Sequence, residues 1–194
     1  RKPVLVLKGG RTREGARATA SHTASLAVDD AVFDGALRQA GVLRMDGVAD
    51  MLATLMGFEW MPLPRGDRIA VATFSGAQAI MSIDAAMGEG LGMAEFSPRT
   101  NERLSRVISC PSKMQNPIDL FPDMMTHGFE KTSCEILKAL LDDEGVHGII
   151  FIGFAILGED MFRPMAEVIR GNRSKPVFVS LLGSREDMAV TEDF

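Results

Sequence analysis

The sequence predicts a parallel α/β fold on three observations. Short apolar runs without alternation, "RIAVAT", "HGIIFIG" and "KPVFVSLLG", read as strands buried on both faces. Segments with helical spacing, about 10 to 15 residues long, separate them. Helix start and stop signals flank those segments, among them Asp29 or Asp30, Gly41 and Pro98. Strand, crossover helix and next strand in that order make neighbouring strands run the same way, with helices covering the sheet.

Taken in order, "PVLVLK" (residues 3–8) is a strand closed by Gly9 and Gly10. From Gly9 to Val28 the chain shows neither a period of 2 nor one of 3.6, which predicts an irregular loop of the kind that is functional or disordered. Asp29 or Asp30 then caps a helix with Ala31, Val32, Leu37 and Ala40 on its inner face, ended by Gly41. A short "VLRM" follows, and a second helix runs from Asp46 to about Phe58. "MPLPRGD" (61–67), with two prolines and a glycine, is the predicted linker. Beyond it come a strand "RIAVAT", a turn "FSGAQ", a helix from Ala77 to about Glu89, a strand "LGMAEF" and a helix "SPRTNERLSRVI". A loop "NPIDLF", a helix over 127–143, a strand "HGIIFIG", a helix over 159–171 and a strand "KPVFVSLLG" complete the pattern. The chain opens on Arg1, and "SREDMAVTEDF" reads as the first turns of a helix, so it is expected to be a piece of something longer.

Composition narrows the functions. The chain has 194 residues, 46% hydrophobic and 24% charged, and a net charge of −5 that is unevenly spread. Arg1, Lys2, Lys8, Arg11, Arg13 and Arg17 stand against Glu14 alone in the first 17 residues, leaving that segment at +5 and the remainder at −10. An acidic body argues against a nucleic-acid partner, whereas a basic segment suits either plain solvation or a phosphorylated small molecule. No apolar run approaches the ~20 residues of a membrane span and no signal peptide is visible, so no membrane partner and a cytoplasmic location are expected. Cys110 and Cys134 lie far apart with no CxxC, which predicts reduced thiols and no metal.

Two places invite chemistry. His22, in "ARATASHTASLAVDDAVFDGAL", sits among small uncharged residues, with neither an apolar stripe nor cysteine or histidine company at zinc spacing. In "TFSGAQAI", a strand meets a helix through Ser75-Gly76. Unpaired N–H groups and the positive end of the helix suit an anion there, although any strand-to-helix turn starts this way. Ligands of open α/β sheets gather beyond the carboxyl ends of the strands. "GEGLG" (88–92) follows a helix and precedes a strand, so it reads as a helix stop and not as a dinucleotide fingerprint. GxxxxGK[ST], HExxH and GxSxG are all missing, and Ser21 beside His22 makes no hydrolase pair. His127 and His147 read as ordinary residues of a helix start and a strand edge, and Asp29 and Asp30 as caps.

The order "KPVLVLKGGRT", a basic small-residue segment, "SHT", then "DDAVFDGALRQAGV" resembles the phosphohistidine segment of ADP-forming acyl-CoA synthetases, relatives of succinyl-CoA synthetase. "RIAVATFSGAQAI", "NPIDL" and "GIIFIGF" resemble the next flavodoxin-like domain of those enzymes. The resemblance implies a parallel-sheet, flavodoxin-like domain over 68–194, a linker at 62–67, and over 1–61 the C-terminal part of another flavodoxin-like domain. It implies interconversion of acyl-CoA, ADP and phosphate with acid, CoA and ATP, through an acyl phosphate and a phosphohistidine at His22. Ser75, Gly76, Ala77 and Gln78 then correspond to a phosphate-binding turn, and Ala155, Ile156, Leu157 and Gly158 to the loop lining the acyl site. No cofactor is expected within this segment; CoA, ATP or ADP and Mg2+ belong to the full-length protein, with CoA-binding and ATP-grasp domains or subunits and an oligomeric assembly. The sequence departs from the family at Ala24, where glycine usually follows "SHT", and at Ser75-Gly76-Ala77-Gln78, where the family has a glycine-rich turn. A non-catalytic or regulatory relative, and a flavodoxin-like module binding FMN or another phosphate ligand, stand as alternatives.

Overall fold

Among the described residues every strand pairing is parallel, as the alternation of strands and helices predicts. The computed structural model describes residues 2–23, 29–121, 123–172 and 174–189. The chain divides into two units, Arg1–Trp60 and Met61–Phe194.

In the first unit β1 (Leu5–Leu7) pairs with β2 (Leu43–Met45). The segment predicted to be irregular instead contains a helix, α1 (Arg13–Thr23). Thr12 starts it, its hydroxyl accepting the Gly15 N–H at 3.1 Å, and alanines at 16, 18 and 20 propagate it. Its half-buried positions include Gly15, Ala16 and Thr19, too small to give the apolar period from which a helix is read. At Gly10, with φ +72°, a side chain would collide with the Thr19 hydroxyl, so glycine here serves both the turn and the close approach of α1.

The next helix, α2 (Asp30–Ala40), is capped by Asp29, whose carboxylate accepts the Ala31 and Val32 N–H groups, and ends at Gly41 with φ +66°. Of the expected inner face only Leu37 is half-buried, since Ala31, Ala40 and Val32, the last at 65%, are exposed. Asp30, Phe33, Asp34 and Leu37 form one helical stripe. Lys8 and Arg44 reach Asp30 at 3.0 and 2.7 Å and stand over the Phe33 ring. The third helix, α3 (Val48–Trp60), begins two residues later than predicted, with the Asp50 carboxylate reaching back to the Asp46 N–H.

The second unit is built on β3 (Arg68–Thr73), which pairs along its length with β6 (Gly148–Phe154), and β6 in turn with β7 (Val177–Leu182). On its other side β3 meets two short strands, β4 (Gly92–Met93) at its start and β5 (Ile118–Asp119) at its end. The predicted "LGMAEF" strand is thus only two residues long, and "NPIDLF", expected as a loop, contributes a strand. Asn116 explains both. Its Oδ1 accepts the Val71 N–H at 2.9 Å, while its Nδ2 donates to the Ile69 and Ala94 carbonyls at 2.8 and 3.0 Å. One side chain therefore completes the ladder in the gap between β4 and β5.

Helices lie on both faces of this sheet. α4 (Gly76–Gly88) puts Ala79 and Ala86 on Ile69, Val71 and Ile152. The larger core gathers Ala70, Ala72, Ile149 and Phe151 of the opposite face with Leu104 of α5 (Pro98–Leu104) and Ile136 and Leu140 of α7 (Phe129–Asp142). Alternate residues of β3 and β6 thus face opposite cores, which requires the continuous apolar runs seen in the sequence. The helix predicted over 127–143 is two, α6 (Asp123–His127) and α7, separated by Gly128 at φ +85°. His127 consequently ends a helix and does not start one. α8 (Glu159–Gly171) precedes β7, and α9 (Arg185–Ala189) follows it.

Asp143 joins three of these elements. Only 4% exposed, it accepts the Ser97 and Gly145 N–H groups, both at 2.9 Å, and Lys175 caps the end of α7 through the Leu140 and Asp143 carbonyls. Burial pushes the Asp143 pKa up, but hydrogen bonds from Thr100, Ser97 and Gly145 outweigh it and hold the carboxyl below its ordinary value. A depressed folded pKa stabilises fully above the unfolded value of about 3.9 and is lost as pH falls through the folded one.

Two measurements follow. Asn116→Ala leaves the Val71 N–H and the Ile69 carbonyl without this partner, and urea unfolding should show a loss of about 1–3 kcal/mol; unchanged stability would mean that the gap is not held by this amide. Asp143→Asn should lower stability at neutral pH and flatten the acid limb of the stability–pH curve below about pH 4. An acid limb as steep as the parent's would show that Asp143 is not among the carboxylates that set it.

Candidate functional site at the carboxyl edge of the sheet

Parallel strands deliver their turns to one edge. Thr73 stands opposite Asp119 on β5 and Ile152 on β6, Phe154 stands opposite Leu182, and the Phe74 N–H donates to the Ile152 carbonyl at 3.1 Å. The turns after β3, β5, β6 and β7 therefore lie side by side. From β3 the chain moves outward to β4, and from β6 it moves the opposite way to β7. The turns after β3 and β6 accordingly flank the topological switch point, where open α/β sheets form their ligand crevice. Ser75–Gln78 occupy one flank and Ala155–Gly158 the other.

The first flank is set by a strand that runs directly into a helix. Ser75 has φ −134° and ψ 109°, and its Oγ accepts the Gln78 N–H at 3.5 Å, the limit of a hydrogen bond. Its carbonyl accepts the Ala79 N–H at 3.0 Å. Gly76 and Ala77 are exposed at the first helical positions, where backbone N–H groups have no partner within the helix. A Cβ at Gly76 would meet nothing within 4 Å, and its φ is not positive. Glycine here is required by neither the backbone nor the packing, and the space over the helix start is left open.

On the second flank a single 3₁₀ turn, Ala155–Leu157, follows β6. Ala155 is buried, Ile156 is 74% exposed, and Gly158 at φ +77° leads into α8. Gly183 supports this turn from β7, since a Cβ there would collide with Ala155. Beyond it Ser184 and Asp187 cap α9 reciprocally, the Ser184 N–H and hydroxyl donating to the carboxylate and the Asp187 N–H to Ser184 Oγ. Hydrogen bonds from the Ser184 hydroxyl and N–H hold the Asp187 pKa below its usual value.

Sequence reasoning missed the groups that hold these turns. The Thr73 hydroxyl accepts the Ser75 N–H at 2.8 Å and donates to the Ser75 carbonyl at 2.9 Å. Lys113 bridges the Asp119 carboxylate and the Phe121 carbonyl at 2.9 and 2.5 Å, fixing the turn after β5. The available signals were a polar residue ending an apolar strand and the Asn-Pro pair ahead of a short apolar run. The His147 ring accepts the Arg68 N–H at Nδ1, at 3.1 Å. Among the described residues no three His, Cys, Asp or Glu side chains converge as a metal site, and no helix is long and apolar enough to cross a membrane.

His22 belongs to the first unit, in the last turn of α1 and not on an irregular loop; Ala24 lies outside the described residues. The basic segment before it is partly neutralised. Lys8 pairs with Asp30, and Arg11 with Asp46 at 2.7 Å, while Arg13 and Arg17 are exposed. Hydrogen bonds from Arg44 and then Lys8 hold the Asp30 carboxyl below its ordinary pKa.

The family model of the succinyl-CoA ligase-like flavodoxin domain matches residues 1–58, the stretch that contains His22. Acetate–CoA ligase [ADP-forming] II of Archaeoglobus fulgidus is 35% identical over 187 residues, 95% of this chain and 28% of that protein. The chain is similar to ADP-forming acyl-CoA synthetases. The alpha subunit of acetate–CoA ligase [ADP-forming] II of Pyrococcus furiosus, a further such enzyme, is 32% identical over 91% of this chain and 39% of its own length. A solved synthetase structure, the dinucleotide-forming acetyl-coenzyme A synthetase 1 of Ca. Korarchaeum cryptofilum in complex with phosphate and ADP, superposes with a TM-score of 0.83. It is 28% identical and covers 98% of this chain and 41% of its own. The chain spans between about a quarter and two fifths of the length of these synthetases.

Because Gly76 answers no demand of folding, Gly76→Ala should leave stability unchanged or raise it by up to about 1 kcal/mol. Denaturant unfolding of both proteins is the check. A loss greater than about 0.5 kcal/mol, beyond the usual effect of a surface change, would mean that the glycine is structural.

Proposed function

We propose that the full-length protein is an ADP-forming acyl-CoA synthetase and that His22 carries the phosphoryl group. The observation that carries this reading is the "SHT" histidine inside the stretch matched by the succinyl-CoA ligase-like family model. Residues 1–61 then supply the C-terminal part of one flavodoxin-like domain and 68–194 the next. CoA-binding and ATP-grasp parts, in the same chain or a partner, supply the sites for CoA and nucleotide in an oligomeric, cytoplasmic enzyme.

The chemistry asks for these residue types. A phosphate oxygen attacks the thioester carbonyl, the carbon–sulfur bond breaks, and CoA leaves with a proton. A ring nitrogen of His22 attacks phosphorus of the acyl phosphate, the phosphorus–oxygen bond breaks, and the acid leaves as carboxylate. A terminal oxygen of ADP then takes the phosphoryl group, giving ATP and returning neutral histidine. An imidazole suits this relay because its unperturbed pKa is about 6.5, so one nitrogen is free to attack near neutrality. The Ser75–Gln78 turn presents the Gly76 and Ala77 N–H groups to phosphate at the start of α4, and Ala155–Gly158 line the acyl group across the switch point. Mg2+ is expected with the nucleotide; among the described residues no three His, Cys, Asp or Glu side chains converge to hold it.

In the full-length protein, His22→Asn should abolish formation of ATP from acetyl-CoA, phosphate and ADP. Asn keeps a polar side chain without a nucleophilic ring nitrogen, so stability should stay within about 0.5 kcal/mol of the parent. Retained turnover contradicts the phosphohistidine relay, and a collapsed thermal melt makes His22 a structural residue.

A further inference from the structure

Thr73 follows the apolar run Ile69–Ala72 of β3 and is 1% exposed. Valine has nearly its shape and a better strand propensity for such a slot, and a buried hydroxyl is costly unless bonded. The hydroxyl makes its bonds to Ser75, accepting from the N–H and donating to the carbonyl. The Thr73 backbone is meanwhile held on both sides, paired with β6 and, through its carbonyl, accepting the Leu120 N–H at 2.9 Å. Thr73 is therefore the point at which three strands are tied to the turn that starts α4. Ser75's own cap bond, at 3.5 Å to Gln78, is too long to fix that turn by itself.

We propose that Thr73 is a positioning residue for phosphate, its hydroxyl holding Ser75 so that the Gly76 and Ala77 N–H groups at the open start of α4 keep a fixed arrangement. The proposal rests on the synthetase reading above and deepens it. Phosphate meets a preformed set of donors and does not have to order the turn on binding. Loss of the hydroxyl frees Ser75, and the cost falls on phosphate and not on the other substrates.

The test uses the full-length protein, with acetyl-CoA, phosphate and ADP as substrates. Thr73→Val should raise the KM for phosphate about tenfold or more, leave those for acetyl-CoA and ADP within about twofold, and shift the thermal melt by only a few degrees. Thr73→Ser, which keeps the hydroxyl, should return the phosphate KM to within about threefold of the parent. Should the valine variant not fold, Thr73→Cys, a weaker partner of similar size, carries the same expectation. Equilibrium binding of labelled inorganic phosphate to His22→Asn and to His22→Asn/Thr73→Val separates this claim from turnover. Weaker binding in the double variant supports the positioning role even where the synthetase reaction is not found. Equal binding in the two, or a loss in Thr73→Val that is spread evenly over all three substrates, overturns it.

Discussion

One strand constrains the second unit. From Ile69 to Thr73 β3 is buried on both faces, so every backbone group along that stretch needs a partner inside the protein. On one side β6 supplies a continuous ladder. On the other the need is met in three pieces, by β4, by the Asn116 side chain and by β5. The segmented edge lets β4 and β5 be two residues each without leaving a polar gap in the core. It also brings the turn after β5 against the end of β3, where Lys113 fixes it through Asp119 and Phe121.

That arrangement determines where chemistry can take place. Parallel strands send all their helix starts to one edge, so partial positive charge gathers there without the need for a cation. The divergence of the chain from β3 and β6 opens the space between two such turns. Thr73 passes the rigidity of the sheet into one of them, and Gly183 leaves room for the other. The first unit is organised differently, by charge. Lys8 and Arg44 converge on Asp30 and on the Phe33 ring, and they hold α2 to a two-stranded sheet whose helices bury little apolar surface.

Much of this was legible in the sequence. "RIAVAT" and "HGIIFIG" declared themselves because burial on both faces demands unbroken apolar runs, and Gly41 marked its helix end through a left-handed conformation that it tolerates without cost. α1 was illegible because its packing face is built from Gly15, Ala16 and Thr19, and close approach leaves no apolar signature. The inner face of α2 was misread for a related reason, since Asp30 and Asp34 point to cations that sequence distance conceals. β5 is too short to show a period, and its existence depends on an asparagine side chain pairing with residues some forty-five positions away. The turn at Ser75 was visible as a type, but the hydroxyl that fixes it is a tertiary fact.

The claim on which the functional reading stands is that His22 is phosphorylated. The most direct measurement is residue-level mapping, by mass spectrometry, of phosphate transferred from labelled ATP to the full-length protein. The expected result is label on a ring nitrogen of His22, lost in acid and kept in alkali. A protein that turns over while His22 stays unlabelled, or label that maps to another residue, contradicts it.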